Sequence, residues 1–323
     1  MAVYTHLNDE EISELLAAYP LGELVSAVGI TAGVENSNYL LTLSQDGEEI
    51  RYILTLFEAR TNEEELPFFI GLKQHLHKAG IPCPEPMARK DGTLLSDVKG
   101  RKALIVSFLE GRSRSRISPA MCASLGAAMA QMHLAVEGFD GHRPNLLALE
   151  GWQAIAANIG SGLNDIQPAL ADKVQAELAH LAAHWPSDLP RGIIHADLFP
   201  DNVFFEGEDV TGLIDFYFAC EDFFAYDLAI CLNCWCFEYG AEFNITKAQA
   251  LLRGYDSVKP FTQEERETLP LLARGAALRF LLTRAEDWLN PREDAQVRPK
   301  DPMEYVKKLA FHQQVKQISE YGL

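Results

Sequence analysis

The most constraining feature of this 323-residue chain is a pair of short apolar runs that end on polar residues. Ile193-Ile194 leads into His195-Ala196-Asp197-Leu198-Phe199-Pro200-Asp201-Asn202, and Gly212-Leu213-Ile214 leads into Asp215. The apolar runs read as two short strands that anchor a polar loop. Taken singly, Asp201-Asn202 is an ordinary turn signal and Asp215 an ordinary strand end. Taken together, Asp197 and Asn202 five residues apart, with Asp215 closing the following strand, gather two carboxylates and an amide. Such hard oxygen donors suit Mg²⁺ with nucleotide phosphates completing its shell.

The chain before this segment has a different pattern from the chain around it. Asn8 or Asp9 can cap a first helix through Tyr19, and strands are expected over Leu24 to Ile30, Ser37 to Leu43 and Ile50 to Phe57, with Asp46-Gly47 as a hairpin signal. Glu63 to Ala79 has helical periodicity. The prolines of Ile81-Pro82-Cys83-Pro84-Glu85-Pro86 then force an extended connection. Thr93 to Leu95 and Lys102 to Phe108 complete a small antiparallel sheet. From Ser118 onward helices are expected over Pro119 to Val136, Asp172 to His184, Thr262 to Asp287 and Tyr305 to Tyr321. The expected fold is therefore α+β: a small antiparallel-sheet lobe (1–108) and a larger, mainly helical lobe (109–323), sharing one cleft.

With 48% hydrophobic and 23% charged residues the chain has the balance of a soluble globular protein. A formal charge of −18 and the lack of a Lys/Arg cluster exclude nucleic acid as an expected partner. Residues 1–14 lack the basic start and apolar core of a signal peptide, and no apolar run is long enough for a membrane span, so no membrane partner and a cytoplasmic protein are expected. Cys231, Cys234 and Cys236 could mark a metal site, but they lie in the apolar run Leu228 to Phe237 and lack a second ligand pair. Reduced, buried thiols are the expectation.

His-x-Asp-x-x-x-x-Asn followed by Ile-Asp-Phe resembles the aminoglycoside phosphotransferase and choline kinase superfamily, relatives of the protein kinases, and the resemblance covers nearly the whole chain. It implies a two-lobed protein-kinase-like fold and transfer of the γ-phosphate of ATP to a hydroxyl. Asp197 then orients the acceptor hydroxyl and takes its proton, Asn202 and Asp215 hold Mg²⁺, and His195 braces the loop. Asp227, in Tyr226-Asp227-Leu228-Ala229, matches a position that caps and braces the next helix, a structural role. Ile30 to Tyr39, Tyr52 to Glu58, His195 to Asn202 and Arg279 to Arg284 further resemble the bacterial homoserine kinases. That implies L-homoserine as acceptor; a kinase for choline, an aminoglycoside or a sugar, or a nucleotide-binding pseudokinase, are the alternatives.

Other site residues follow from position. Gly33, Val34, Glu35, Asn36, Ser37 and Asn38 occupy the place of the phosphate-covering loop, though they read equally as a hairpin turn. Ile53-Leu54-Thr55 puts Thr55 where kinases carry a phosphate-pairing lysine, leaving Arg60 or Arg51 as substitute cations and Glu63, Glu64 and Glu65 as an exposed first turn. Ser107, Phe108 and Leu109 fall where related kinases hydrogen-bond adenine, with Ile53 and Phe108 as apolar walls. For the acceptor, Asp222, Asn233, Trp235 and Glu238 punctuate an apolar segment. Arg279 and Arg284 suit either a substrate carboxylate or salt bridges to acids such as Glu286 and Asp287.

Overall fold

A capping box starts the chain's first helix. Asn8 Oδ1 accepts from Glu11 N at 2.8 Å and Glu11 Oε2 accepts from Asn8 N at 3.0 Å, opening α1 (Asp9–Leu16). The computed structural model describes residues 4–30, 36–58, 62–291 and 299–323, so Gly33, Val34, Glu35 and Arg60 lie outside the described residues. The chain divides into two units, Met1–Glu110 and Gly111–Leu323.

In the first unit β1 (Glu23–Gly29), β2 (Ser37–Gln45), β3 (Glu48–Leu56), β4 (Leu95–Val98) and β5 (Arg101–Ser107) form an antiparallel sheet in the order β1-β2-β3-β5-β4. Asp46 (φ 52°) and Gly47 (φ 87°) are both left-handed, the turn that a two-residue hairpin between right-twisted strands requires. Alternation along β2 and β3 sends Tyr39, Leu41, Leu43, Tyr52, Leu54 and Leu56 into one core with Ile12 and Leu16 of α1. β4 starts two residues later than the expected Thr93 to Leu95. Asp91 Oδ1 accepts from both Thr93 N (2.9 Å) and Thr93 Oγ1 (2.6 Å), which makes Thr93 part of a turn. The helix α2 (Leu66–Lys78) follows a single 3₁₀ turn at Glu63–Glu65.

The second unit is mainly helical: α3 (Pro119–Ala135), α4 (Leu149–Ile159), α5 (Leu163–Ile166), α6 (Leu170–His184), α7 (Phe224–Trp235), α8 (Ile245–Asp256), α9 (Gln263–Leu289) and α10 (Met303–His312). Among the described residues no helix is long and apolar enough to cross a membrane. α3 and α8 cross at backbone contact: a Cβ on Gly126 would lie 2.1 Å from Leu251 O, and one on Gly254 would lie 2.1 Å from Ala123 O. Only glycine fits either position.

The expected helix Tyr305 to Tyr321 is two elements, since a capping box between Gln317 and Glu320 starts a separate 3₁₀ turn at Ile318–Tyr321. That turn brings the Tyr321 hydroxyl 2.6 Å from Nδ1 of His312, inside a cage of Phe237, Phe243 and Phe311 rings. Among the described residues Nε2 of His312, which is buried, has no hydrogen-bond partner. Burial, reinforced by Lys308 and Arg274, pulls the imidazole down to about 3. The unfolded chain takes this proton near pH 6.5 while the folded one refuses it until about 3. The sign is therefore a stability fully present above about 6.5 and lost as pH falls toward 3. Thermal melting between pH 7.5 and 4.5 is expected to show a falling Tm, with a shallower slope in His312→Gln; an equal slope in both proteins would show that His312 is not a source of acid lability.

Candidate active site

The two apolar runs that flank the polar loop do not pair with each other. β6 (Arg191–Ile194) pairs with β9 (Cys220–Phe223), while β7 (Val203–Glu206), formed directly after Asn202, pairs with β8 (Asp209–Leu213). Two ribbons therefore deliver the loop: β6 feeds His195, and β8 ends two residues before Asp215. They are tied by Ile214 N donating to Asn202 O at 3.0 Å and by His195 Nε2 against Ile214 O at 2.9 Å.

His195 is wholly buried. Asp197 N donates to its Nδ1 at 3.3 Å, so Nε2 carries the hydrogen that reaches Ile214 O, and burial lowers its pKa and keeps the ring neutral. The residue after it, Ala196, has φ 62°, a left-handed conformation that costs an L-residue roughly 1–3 kcal/mol. Both ends of this residue are held. Its N–H donates to Asp227 Oδ1 at 2.9 Å, and its carbonyl accepts from Arg279 at 2.8 Å.

Asp227 does not cap its own helix, which begins at Phe224 without a side-chain cap. Its carboxylate accepts instead from His195 N (2.9 Å), Ala196 N (2.9 Å) and His133 Nε2 (3.0 Å), and Nδ1 of His133 meets the Tyr255 hydroxyl at 2.9 Å. Burial alone would raise Asp227, but its bonds with His133 and the backbone hold it below the usual carboxylate range.

Beyond Ala196 the loop presents its chemistry. Asn202 Nδ2 donates to Asp197 O (2.8 Å) and to Asp197 Oδ2 (3.2 Å), which aims the carboxylate and leaves the Asn202 amide oxygen turned away from it. Burial pushes Asp197 up to about 7; Arg279 opposes that, and Asp215 and Asp201 add to it. Asp215 is exposed and left-handed at φ 65°. Leu198 O is fixed by α7 through Trp235 Nε1 at 2.6 Å, Cys234 Sγ at 3.5 Å and Cys231 Sγ at 3.6 Å. The cysteines are free thiols, and among the described residues no three His, Cys, Asp or Glu side chains are grouped to hold a metal.

The acceptor candidates fall in different places. Asp222 is buried, accepts from Asn145 Nδ2 (2.6 Å) and Phe223 N (2.7 Å), and is raised by burial. Asn233 donates to the carbonyls of Ala229 and Ala273, both at 3.0 Å, clamping α7 to α9. Trp235 braces the loop as described. Glu238 is paired with Lys247 at 2.6 Å, and Arg284 with Glu304 at 2.6 Å and with Asp301 O at 3.3 Å. Arg279, 2% exposed, packs 4.6 Å from the Phe280 ring and supports the loop from below. Its partner is the Ala196 carbonyl rather than Glu286 or Asp287. Beside the loop a cavity of about 1020 Å³ is walled by Pro200, Trp235, Glu238 and four cations, Arg114, Arg116, Lys307 and Lys247, the last paired with Glu238. The sequence signal for those arginines, the alternation Arg112-Ser113-Arg114-Ser115-Arg116, was there to be read.

In the first unit, Asn38, Ile53 and Thr55 share the sheet face opposite the core, and Thr55 Oγ1 donates to Asn38 Oδ1 at 2.7 Å across the strands. Asn36 Oδ1 accepts from Glu58 N at 3.2 Å, and Ser37 Oγ ties Tyr4 N (2.8 Å) to Glu58 (2.6 Å). Ser107 exchanges backbone and hydroxyl bonds with Glu85, both at 2.9 Å, and Arg51 is paired with Glu110 while its guanidinium lies 4.1 Å from the Phe108 ring. Leu109 is half-buried.

A sequence profile of the phosphotransferase enzyme family matches residues 26–261. The homoserine kinase of Rhizobium meliloti is 52% identical over 323 residues, covering 100% of this chain and 98% of its own. An amicoumacin kinase solved with AMP-PNP and Ca²⁺ superposes at TM-score 0.69 with 15% identity, covering 96% of this chain and 95% of that one. The choline kinase of Cryptosporidium parvum superposes at 0.68 with 15% identity, covering 95% of each, so the protein-kinase-like fold is common to all three. A family profile over more than half of the residues, and a half-identical relative along the entire length, make this chain a member of the phosphotransferase enzyme family.

Proposed function

We propose that the chain transfers the γ-phosphate of ATP to the side-chain hydroxyl of L-homoserine, in the cytoplasm. The observation that carries this reading is the 52% identity to a homoserine kinase along both full lengths. Residues 1–108 would serve as the nucleotide-binding lobe, with Asn36, Ser37, Asn38, Ile53, Thr55, Ser107, Phe108 and Leu109 around the nucleotide. Residues 109–323 supply the catalytic loop.

Asn202 and Asp215 offer an amide oxygen and a carboxylate, a donor set that fits Mg²⁺, which takes one or two protein oxygens and completes its shell with phosphate and water. Held by Asn202 and Asp215, Mg²⁺ would supply neutralisation of the phosphate charge. The chain's own contribution is position. Asp197, aimed by Asn202, orients the acceptor hydroxyl and takes its proton. The oxygen–phosphorus bond forms as the bond to the β,γ-bridging oxygen breaks, and ADP leaves. Little covalent chemistry falls to the protein, so alignment and charge supply most of the rate.

An ADP-release assay on folded, Mg²⁺-supplemented protein is expected to give homoserine-dependent turnover, with choline, aminoglycosides and sugars far behind. Turnover of one of those alcohols and none of homoserine would replace the acceptor while leaving phosphoryl transfer standing.

A further inference from the structure

We infer that Arg114 and Arg116 bind the α-carboxylate of the acceptor amino acid, an assignment that rests on the homoserine reading. Homoserine carries its hydroxyl at one end and a carboxylate and ammonium at the other. A hydroxyl placed at Asp197 therefore needs a cation in an adjoining cavity. Pro200, three residues after Asp197, and Trp235, which holds Leu198 O, form the loop side of that cavity.

The charges around it are unequally committed. Glu238 is neutralised by Lys247 (2.6 Å) and also accepts from Asn244 (3.0 Å), and Glu304 is shared by Arg284 (2.6 Å) and Lys308 (2.5 Å). Among the described residues neither Arg114 nor Arg116 has an ion pair or a hydrogen-bond acceptor, and Arg114 Nε is buried without one. The cavity thus offers uncommitted guanidinium groups in a chain whose net charge is −18. Guanidinium forks match carboxylates in two-bond geometry. The four arginines of α9 are not available for this: Arg266 serves Asp256, Arg274 serves Glu177, Arg279 serves the Ala196 carbonyl and Arg284 serves Glu304. Asp301, whose Oδ1 accepts from Met303 N at 2.8 Å, lines the same cavity and is the acid assigned here to the ammonium.

The test uses the full chain and two acceptors, L-homoserine and 3-aminopropan-1-ol, which is homoserine without its carboxylate. Arg114→Gln and Arg116→Gln are each expected to raise KM for homoserine about 10- to 100-fold, the loss of a charge-assisted hydrogen bond, with KM for ATP unchanged. For 3-aminopropan-1-ol the same variants are expected to match wild type, because the group they bind is missing. Arg114→Lys, which keeps the charge without the fork, is expected to fall between, and unchanged melting would show that each variant is folded. Equal losses on both acceptors, or a raised KM for ATP, would assign the arginines to phosphate and overturn the inference; so would variants with unaltered homoserine kinetics. A wild-type chain that does not phosphorylate homoserine would overturn the acceptor reading itself.

Discussion

Asp197→Asn is expected to lower kcat by at least about 10²-fold while leaving nucleotide binding largely intact. The substitution preserves size and can still accept from Asn202 Nδ2, now 3.2 Å from Oδ2, so the loop keeps its shape while the proton acceptor disappears. Because burial holds this carboxyl up at about 7, the wild-type kcat/KM for the acceptor should fall about tenfold per pH unit below that value, and the limb should vanish in the variant. Stability should move the other way. An aspartate raised above its unfolded value of about 3.9 makes the fold less stable as pH rises from about 4 to 7, so the neutral variant should melt no earlier than wild type at pH 8. A variant with undiminished kcat would remove Asp197 as the base, and one that melts early would mean that the carboxylate is structural.

The contrast between a buried carboxyl that strains the fold and neighbours that restrain it explains what was legible in the chain. That Asp197 and Asn202 meet within one loop was legible because such contacts are local: a spacing of five residues lets the Asn202 amide reach the Asp197 carboxylate. The sheet of the first unit was legible for the same reason, through alternation and the Asp46-Gly47 turn. Pairing of the strands around the polar loop was not, since β6 reaches past β7 and β8 to find β9, a choice made by burial of Ile193, Ile194 and Cys220 rather than by any local signal.

Long-range partners were the least legible. His133 and Asp227 are 94 residues apart, and Arg279 is 83 residues from the carbonyl that it holds. α9 carries four arginines, and nothing in its leucine- and alanine-rich pattern says where Arg279 will point, which is why it suited either a substrate carboxylate or a salt bridge. Asn233 and Trp235 drew notice as polar groups in an apolar run, yet they spend their donors on backbone carbonyls, the usual fate of buried polar side chains.

Asp227→Asn is expected to remove roughly 2 to 5 kcal/mol of stability, the cost of breaking a buried charged network, and to lower kcat without raising KM for ATP. Both carboxylate oxygens are engaged by donors: the N–H groups of His195 and Ala196 and the Nε2 of His133. An amide must turn its NH₂ toward at least one of them, so a donor faces a donor in a site with no exposure to water. The backbone at Ala196 sits at φ 62° only because Asp227 grips its N–H from one side and Arg279 its carbonyl from the other. Released, the residue relaxes toward negative φ and carries Asp197 off its line, and an error of about 1 Å in a reacting group is worth about 10²-fold in rate. Melting and steady-state kinetics on the same preparation separate the two effects. Arg279→Met should lower kcat by the same route while leaving the Asp227 network whole, and the double variant should lose less than the product of the single losses, because both act through one peptide. Strictly multiplicative losses would mean that the two residues do not share the Ala196 backbone as their common target.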